Sequence, residues 1–123
     1  MAKFPKITLI IGASENPERY ANMAANRLVS KGHPIINLGK KEGIVAGEPI
    51  YTDRKLYDNV HTITLYINPL HQKEWYEYIF ALNPQRIIFN PGTENPELER
   101  LAQQKGIETI EGCTLVMLSI DNF

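Results

Sequence analysis

The stretch Lys6–Arg19, KITLIIGASENPER, constrains this chain more than any other. From Ile7 to Ile11 it is an unbroken, mostly β-branched run that stops at Gly12. A run without polar alternation reads as a strand covered on both faces, as in a parallel sheet. Gly12-Ala13-Ser14 follows, small residues that let a ligand come close to the backbone. Asn16-Pro17 then offers a helix N-cap with proline at the first helical position, where its missing N–H costs nothing. A strand feeding a helix through such a loop aims free N–H groups and the positive dipole end at one place. The single Gly12 does not meet the dinucleotide fingerprint GxGxxG. Ser14 supplies a hydroxyl, and Arg19 a planar fork able to grip two phosphate oxygens. These residues leave two readings open, a phosphate site or an ordinary connection with an exposed arginine.

At 123 residues the chain has the length of one domain with a core that needs no staples. A net charge of −1 makes no electrostatic case for a nucleic-acid or membrane partner. One cysteine permits neither an intrachain disulfide nor a cysteine-built metal site and suits a reducing compartment. No signal peptide or membrane-length apolar run is visible, so a cytoplasmic protein is expected.

Beyond the first strand, Tyr20, Met23, Ala24 and Leu28 fall at helical spacing, closed by Gly32. Pro34–Leu38 reads as a second strand. Gly47 and Pro49 argue against a long element between Ile44 and Asp53, leaving a short extended piece at Pro49–Tyr51. Leu56-Tyr57 reads as one helical turn, and Val60–Ile67 as a third strand. Asn68-Pro69 opens a helix through Leu82 that Asn83-Pro84 stops. Arg86–Phe89 is a fourth strand, Asn95-Pro96 starts another helix, Ile107–Ile110 is a fifth strand, and Cys113–Ile120 a terminal, short helical segment. Strands alternating with helices at this spacing mean βαβ units. The expected fold is α/β, a Rossmann-like open parallel sheet of about five strands with helices on both faces, in a single domain.

Ligands of such sheets sit beyond the carboxyl ends of the strands, where strand order reverses. After the second strand an NAD site wants an acid to accept from the ribose. This chain has Asn37 and then Gly39-Lys40-Lys41, cations that suit a phosphorylated ribose or are simply solvated. Asn90-Pro91-Gly92-Thr93 forms a far wall whose N–H groups and hydroxyl either meet a ligand or only turn the chain. Asn68 reads first as a cap and second as a ligand contact. No nucleophile–base pair or helical HxxxH surrounds His33, His61 or His71, which read as surface or turn residues. Cys113 reads as a small core residue, or as a thiol near the crevice. Tyr20, Trp75 and Tyr76 are assigned to packing.

In their order and spacing, Gly12-Ala13-Ser14, Pro17 with Arg19-Tyr20-Ala21-Asn22, Ile44-x-x-Gly47-x-x-x-Tyr51, Asn90-Pro91-Gly92, and Gly106-Ile107 leading to Cys113 carry a resemblance. Over nearly its whole length the chain resembles the small stand-alone coenzyme A-binding domain family. That family is similar to the N-terminal domain of the succinyl-CoA synthetase alpha subunit. The resemblance implies coenzyme A or an acyl-CoA, with Gly12, Ala13, Ser14 and Arg19 around the phosphates and Asn37 and Lys40 along the nucleotide. Asn68, Pro91 and Gly92 complete the candidate site. A non-catalytic or accessory binder of a small nucleotide-type ligand is expected, its protein partner left open. The alternatives are a small NADP-using or nucleotide-modifying enzyme and a partner-binding domain with an empty crevice.

Overall fold

The run before Gly12 forms β1 (Thr8–Ile11), and all four of its residues are buried. In the computed structural model, which describes residues 4–123, it is followed by α1 (Tyr20–Ser30) and β2 (Ile35–Leu38). Next come β3 (Gly43–Val45), β4 (Glu48–Tyr51) and β5 (Thr62–Leu65). The rest is α2 (Pro69–Gln72), a 3-10 turn (Lys73–Trp75), α3 (Tyr76–Leu82), β6 (Arg86–Phe89), α4 (Pro96–Gln104), β7 (Glu108–Glu111) and α5 (Thr114–Ser119). The sheet order is β3-β4-β2-β1-β5-β6-β7, parallel throughout except for β3 against β4.

The sheet therefore has seven strands where about five are expected. The surplus is a hairpin in the segment that Gly47 and Pro49 seemed to break. Its turn places Ala46 and Gly47 both at positive φ, 55° and 78°, the geometry of a tight hairpin turn. Pro49 sits opposite Ile44. Its missing N–H is tolerated there because the antiparallel ladder needs no donor at a non-hydrogen-bonded pair.

Side chains alternate across the sheet into two cores. One face packs Leu9, Ile11, Ile63, Leu65, Ile87 and Phe89 under Ile79, Leu82, Leu98 and Ala102 of α3 and α4. The other packs Ile10, Ile35 and Ile50 under Ala21, Ala25 and Leu28 of α1 and Leu118 of α5. Burial on both faces is the reason the strands read as continuous apolar runs.

Four local expectations change. α1 begins at Tyr20, not Pro17, because Asn16 heads a turn: its carbonyl accepts from Arg19 N (3.0 Å) and its Oδ1 from Glu18 N (3.0 Å). Leu56-Tyr57 is not helical. The helix expected from Leu70 to Leu82 is interrupted at the 3-10 turn. His33 is buried instead of lying at the surface, its Nδ1 accepting from Lys6 N at 3.0 Å and its ring 4.9 Å from Phe123. Asn68 and Asn95 do cap their helices, accepting from Leu70 N (2.9 Å) and Leu98 N (3.2 Å).

Candidate functional site

β2 lies on one side of β1 and β5 on the other. Strand order therefore reverses at β1, and the chain leaves β1 and β5 toward opposite faces of the sheet, opening a crevice between the two connections. An open groove of about 1020 Å³ runs there. Gly12 makes the junction possible. Its φ is +99°, and a Cβ would lie 2.8 Å from the Tyr66 carbonyl oxygen just past β5. No other residue type fits that approach.

The loop after β1 turns its backbone toward the groove. Gly12 N and Ala13 N both donate to Leu38 O at 2.9 Å, binding the loop to β2. Ser14 Oγ accepts from Asn16 N (3.1 Å), and Asn22 Nδ2 holds the Ser14 carbonyl at 3.0 Å. Among the described residues, the N–H groups of Ser14, Glu15, Tyr20 and Ala21 find no acceptor. The start of α1 carries neither a side-chain cap nor an acidic residue. Its dipole is uncompensated on the side that faces the groove.

Charge along the groove is unevenly satisfied. The Arg54 guanidinium lies 3.8 Å over the Trp75 ring, donates to Glu74 O at 2.7 Å and stands 3.8 Å from Glu74 Oε1. Arg19, Lys40 and Lys41 are exposed and have no carboxylate partner among the described residues. Arg19, Lys40, Lys41 and Arg54 share the crevice with Glu15, Glu42 and Glu74, so its cations outnumber its carboxylates by one.

The far wall is held by a buried amide network. Asn90 Nδ2 donates to Thr64 Oγ1 (2.7 Å) and Leu65 O (2.9 Å), and its Oδ1 accepts from Thr114 N at 2.9 Å. Gln72 Nε2 donates to Ile67 O (3.0 Å) and Thr93 O (2.7 Å), and its Oε1 accepts from Asn95 Nδ2 at 2.9 Å. Pro91, Gly92 and Thr93 are thereby set along the groove. Tyr66 contributes to the floor. Its hydroxyl is buried without a hydrogen-bond partner, and burial pushes its pKa up to about 12, so the phenol stays neutral.

Of the candidate residues, Gly12, Ala13, Ser14, Arg19, Lys40, Asn68, Pro91 and Gly92 meet at the groove. Asn37 does not line it. It is fully buried beneath the hairpin, its Nδ2 donating to Val45 O and Glu48 O at 3.3 Å each. Asn68 Oδ1 is occupied as a cap. Cys113 is half-buried at the start of α5 and is not part of the lining. Tyr20, assigned to packing, is exposed and borders the groove, as does the half-buried Trp75.

Tyr66, His71 and Arg54 belong to the groove and were not singled out as site residues. The position of Tyr66 directly beyond a strand's carboxyl end was an available signal. Arg54 sits in an irregular segment with none. Among the described residues no group of three His, Cys, Asp or Glu side chains could hold a metal ion, and no helix is long and apolar enough to cross a membrane.

Comparison with solved structures places this arrangement among known ones. One protein of uncharacterised function is 51% identical with a TM-score of 0.96, covering 98% of this chain and 100% of its own. A Pyrococcus furiosus conserved hypothetical protein is 28% identical, TM-score 0.78, covering 92% of this chain and 98% of its own. A Thermus thermophilus protein shares the fold at 20% identity and TM-score 0.86, covering 97% of this chain and 91% of its own. No curated protein matches significantly. The profile described as a CoA binding domain matches residues 6–119, nearly the whole chain and every loop of the groove. The chain therefore belongs to the CoA-binding domain family.

Proposed function

We propose that the groove binds coenzyme A or an acyl-CoA and that the protein serves as a binder or accessory component, not as a catalyst. The observation that carries this is the unpartnered trio Arg19, Lys40 and Lys41 beside four free backbone N–H groups. None of the three is engaged in an ion pair among the described residues, so their charge is available to a polyanion. Coenzyme A brings a pyrophosphate and a separate 3′-phosphate, which fits cations on two successive loops. The pyrophosphate lies at Ser14, Arg19 and the start of α1, and the 3′-phosphate at Lys40 and Lys41. An open groove near the upper end of roughly 300–1,000 Å³ accommodates a long ligand whose acyl end projects outward.

The binding reading is supported further by what surrounds the groove. Of its titratable groups, Glu74 is occupied by Arg54, and the Tyr66 hydroxyl is buried and neutral. Among the described residues, His71 of α2 has no carboxylate or hydroxyl partner, and no nucleophile is held against a base.

Titration with coenzyme A, 3′-dephospho-coenzyme A and NADP at low and high salt tests the proposal. Coenzyme A is expected to bind roughly 5- to 10-fold tighter than the dephospho form, with the gap narrowing as salt rises. NADP should bind more weakly than coenzyme A, because its phosphate is on the other ribose oxygen. Tighter NADP binding would favour the nucleotide-enzyme reading instead. Native mass spectrometry of the freshly purified protein provides a second check, since a retained ligand identifies itself by mass.

A further inference from the structure

The loop bearing Lys40 and Lys41 is bracketed by two glycines: backbone closes the space beside Gly39, and the Glu15 side chain occupies the space beside Gly43. A Cβ on Gly39 would lie 2.6 Å from Ala13 O. A Cβ on Gly43 would lie 2.3 Å from Glu15 Cδ. Both obstructing residues belong to the loop after β1. The second contact is also a hydrogen bond in disguise, because Glu15 Oε2 accepts from Ile44 N at 2.8 Å. Ile44 stands opposite Pro49 in a non-hydrogen-bonded pair of the hairpin, so its N–H points away from β4 to the free edge of the sheet. Without Glu15 that donor would have no protein partner.

We propose that Glu15 is a positioning residue that clamps the lysine loop to the phosphate loop, setting Lys40 and Lys41 at a fixed reach from Arg19. The proposal rests on the coenzyme A reading and deepens it by naming what sets the spacing between the two phosphate subsites. Glu15 itself touches no phosphate. Its carboxylate is engaged by Ile44 N–H and forms no ion pair with Arg19, Lys40 or Lys41. Gly43 is the matching half of the device, since any side chain there displaces the carboxylate. The Lys40–Glu42 loop is then tied at both ends, by close packing at Gly39 and by the charged hydrogen bond at Ile44.

The readout is the ratio of coenzyme A to 3′-dephospho-coenzyme A affinity, which cancels any general loosening of the groove. In Glu15→Ala the ratio is expected to fall from roughly 5- to 10-fold to below about 2-fold. Glu15→Gln keeps an acceptor for Ile44 N–H and should restore the wild-type ratio. Gly43→Ala should behave like Glu15→Ala, and the double variant should be no worse than either, because each breaks the same tie. Amide exchange at Ile44 in the ligand-free protein should accelerate at least about tenfold in Glu15→Ala and not in Glu15→Gln. An undiminished ratio in Glu15→Ala, or unchanged exchange at Ile44, would overturn the clamp. If the wild type binds neither ligand, the coenzyme A reading falls and takes the positioning role with it, a result distinct from a wild type that binds while the variant ratio stays put.

Discussion

Arg19 and His33 show what two single side chains do at opposite ends of the sheet. Arg19 is exposed, immediately precedes α1 and has no ion-pair partner for its side chain among the described residues, so its charge is available to a ligand. Arg19→Ala is expected to weaken coenzyme A binding roughly 10- to 150-fold, the loss of about 1.5–3 kcal/mol for a charged hydrogen-bond pair. Its urea midpoint should stay at the wild-type value, and calorimetry checks the affinity. His33 works inside the fold. Its Nδ1 must stay unprotonated to accept from Lys6 N, and its ring packs on Phe123, which Arg86 also covers at 4.3 Å. Burial, with Lys6, Arg86 and His61 nearby, holds its pKa below the ordinary 6.5. Protonation then favours the unfolded chain, so this contribution is complete above about 6.5 and is lost as pH falls through the folded value. Urea midpoints between pH 7.5 and pH 5 should fall. The fall should be smaller in His33→Asn, which keeps an acceptor but cannot titrate.

Asn-Pro occurs repeatedly in this chain, and its outcomes show how elements are decided. At Asn68-Pro69 and Asn95-Pro96 the dipeptide caps a helix, but at Asn16-Pro17 it heads a turn and the helix waits until Tyr20. The local chemistry allows both, since an asparagine oxygen two residues back serves a turn as well as a helix start. The route from β1 over the groove selects the turn. β6 and α5 are coupled more firmly, through Asn90. That side chain bonds Thr64, Leu65 and Thr114 at once, while the Asn90 backbone carbonyl accepts from Thr93 Oγ1 at 2.8 Å. Asn90→Ala leaves a buried donor and acceptors unmet and should cost about 2–4 kcal/mol in urea unfolding. Asn90→Asp should be no rescue, because a carboxylate cannot donate to Leu65 O.

At the scale of the whole molecule, a ligand held as proposed by the loops after β1 and β2 would act as a staple across the carboxyl edge of the sheet. Coenzyme A at about 100 times its dissociation constant should add roughly 2.7 kcal/mol. For a chain of this size that raises the melting temperature by roughly 8–13 °C, measurable by scanning calorimetry. No such rise with saturating coenzyme A would argue against the proposed ligand. Much of this architecture was legible from residue order. Thr8–Ile11, Ile63–Leu65 and Ile87–Phe89 advertise strands buried on both faces, because side chains that meet apolar neighbours whichever way they point are mostly apolar, with threonine the exception here. Gly12-Ala13-Ser14 and the lysines after β2 likewise mark the loops of the crevice, because close backbone approach and the sign of a charge are properties of residue type. Pairing and burial of particular groups are not. The hairpin of β3 and β4 hides behind Gly47 and Pro49, whose meaning depends on which ladder positions they occupy. Asn37 looks like a groove residue until the hairpin folds over it and takes its amide. Glu15 looks like any loop carboxylate until Gly43 and Ile44 are brought against it. Strand periodicity and loop chemistry are local and survive translation into sequence. The partner of a polar atom is set by segments distant along the chain, and only the packed fold chooses it.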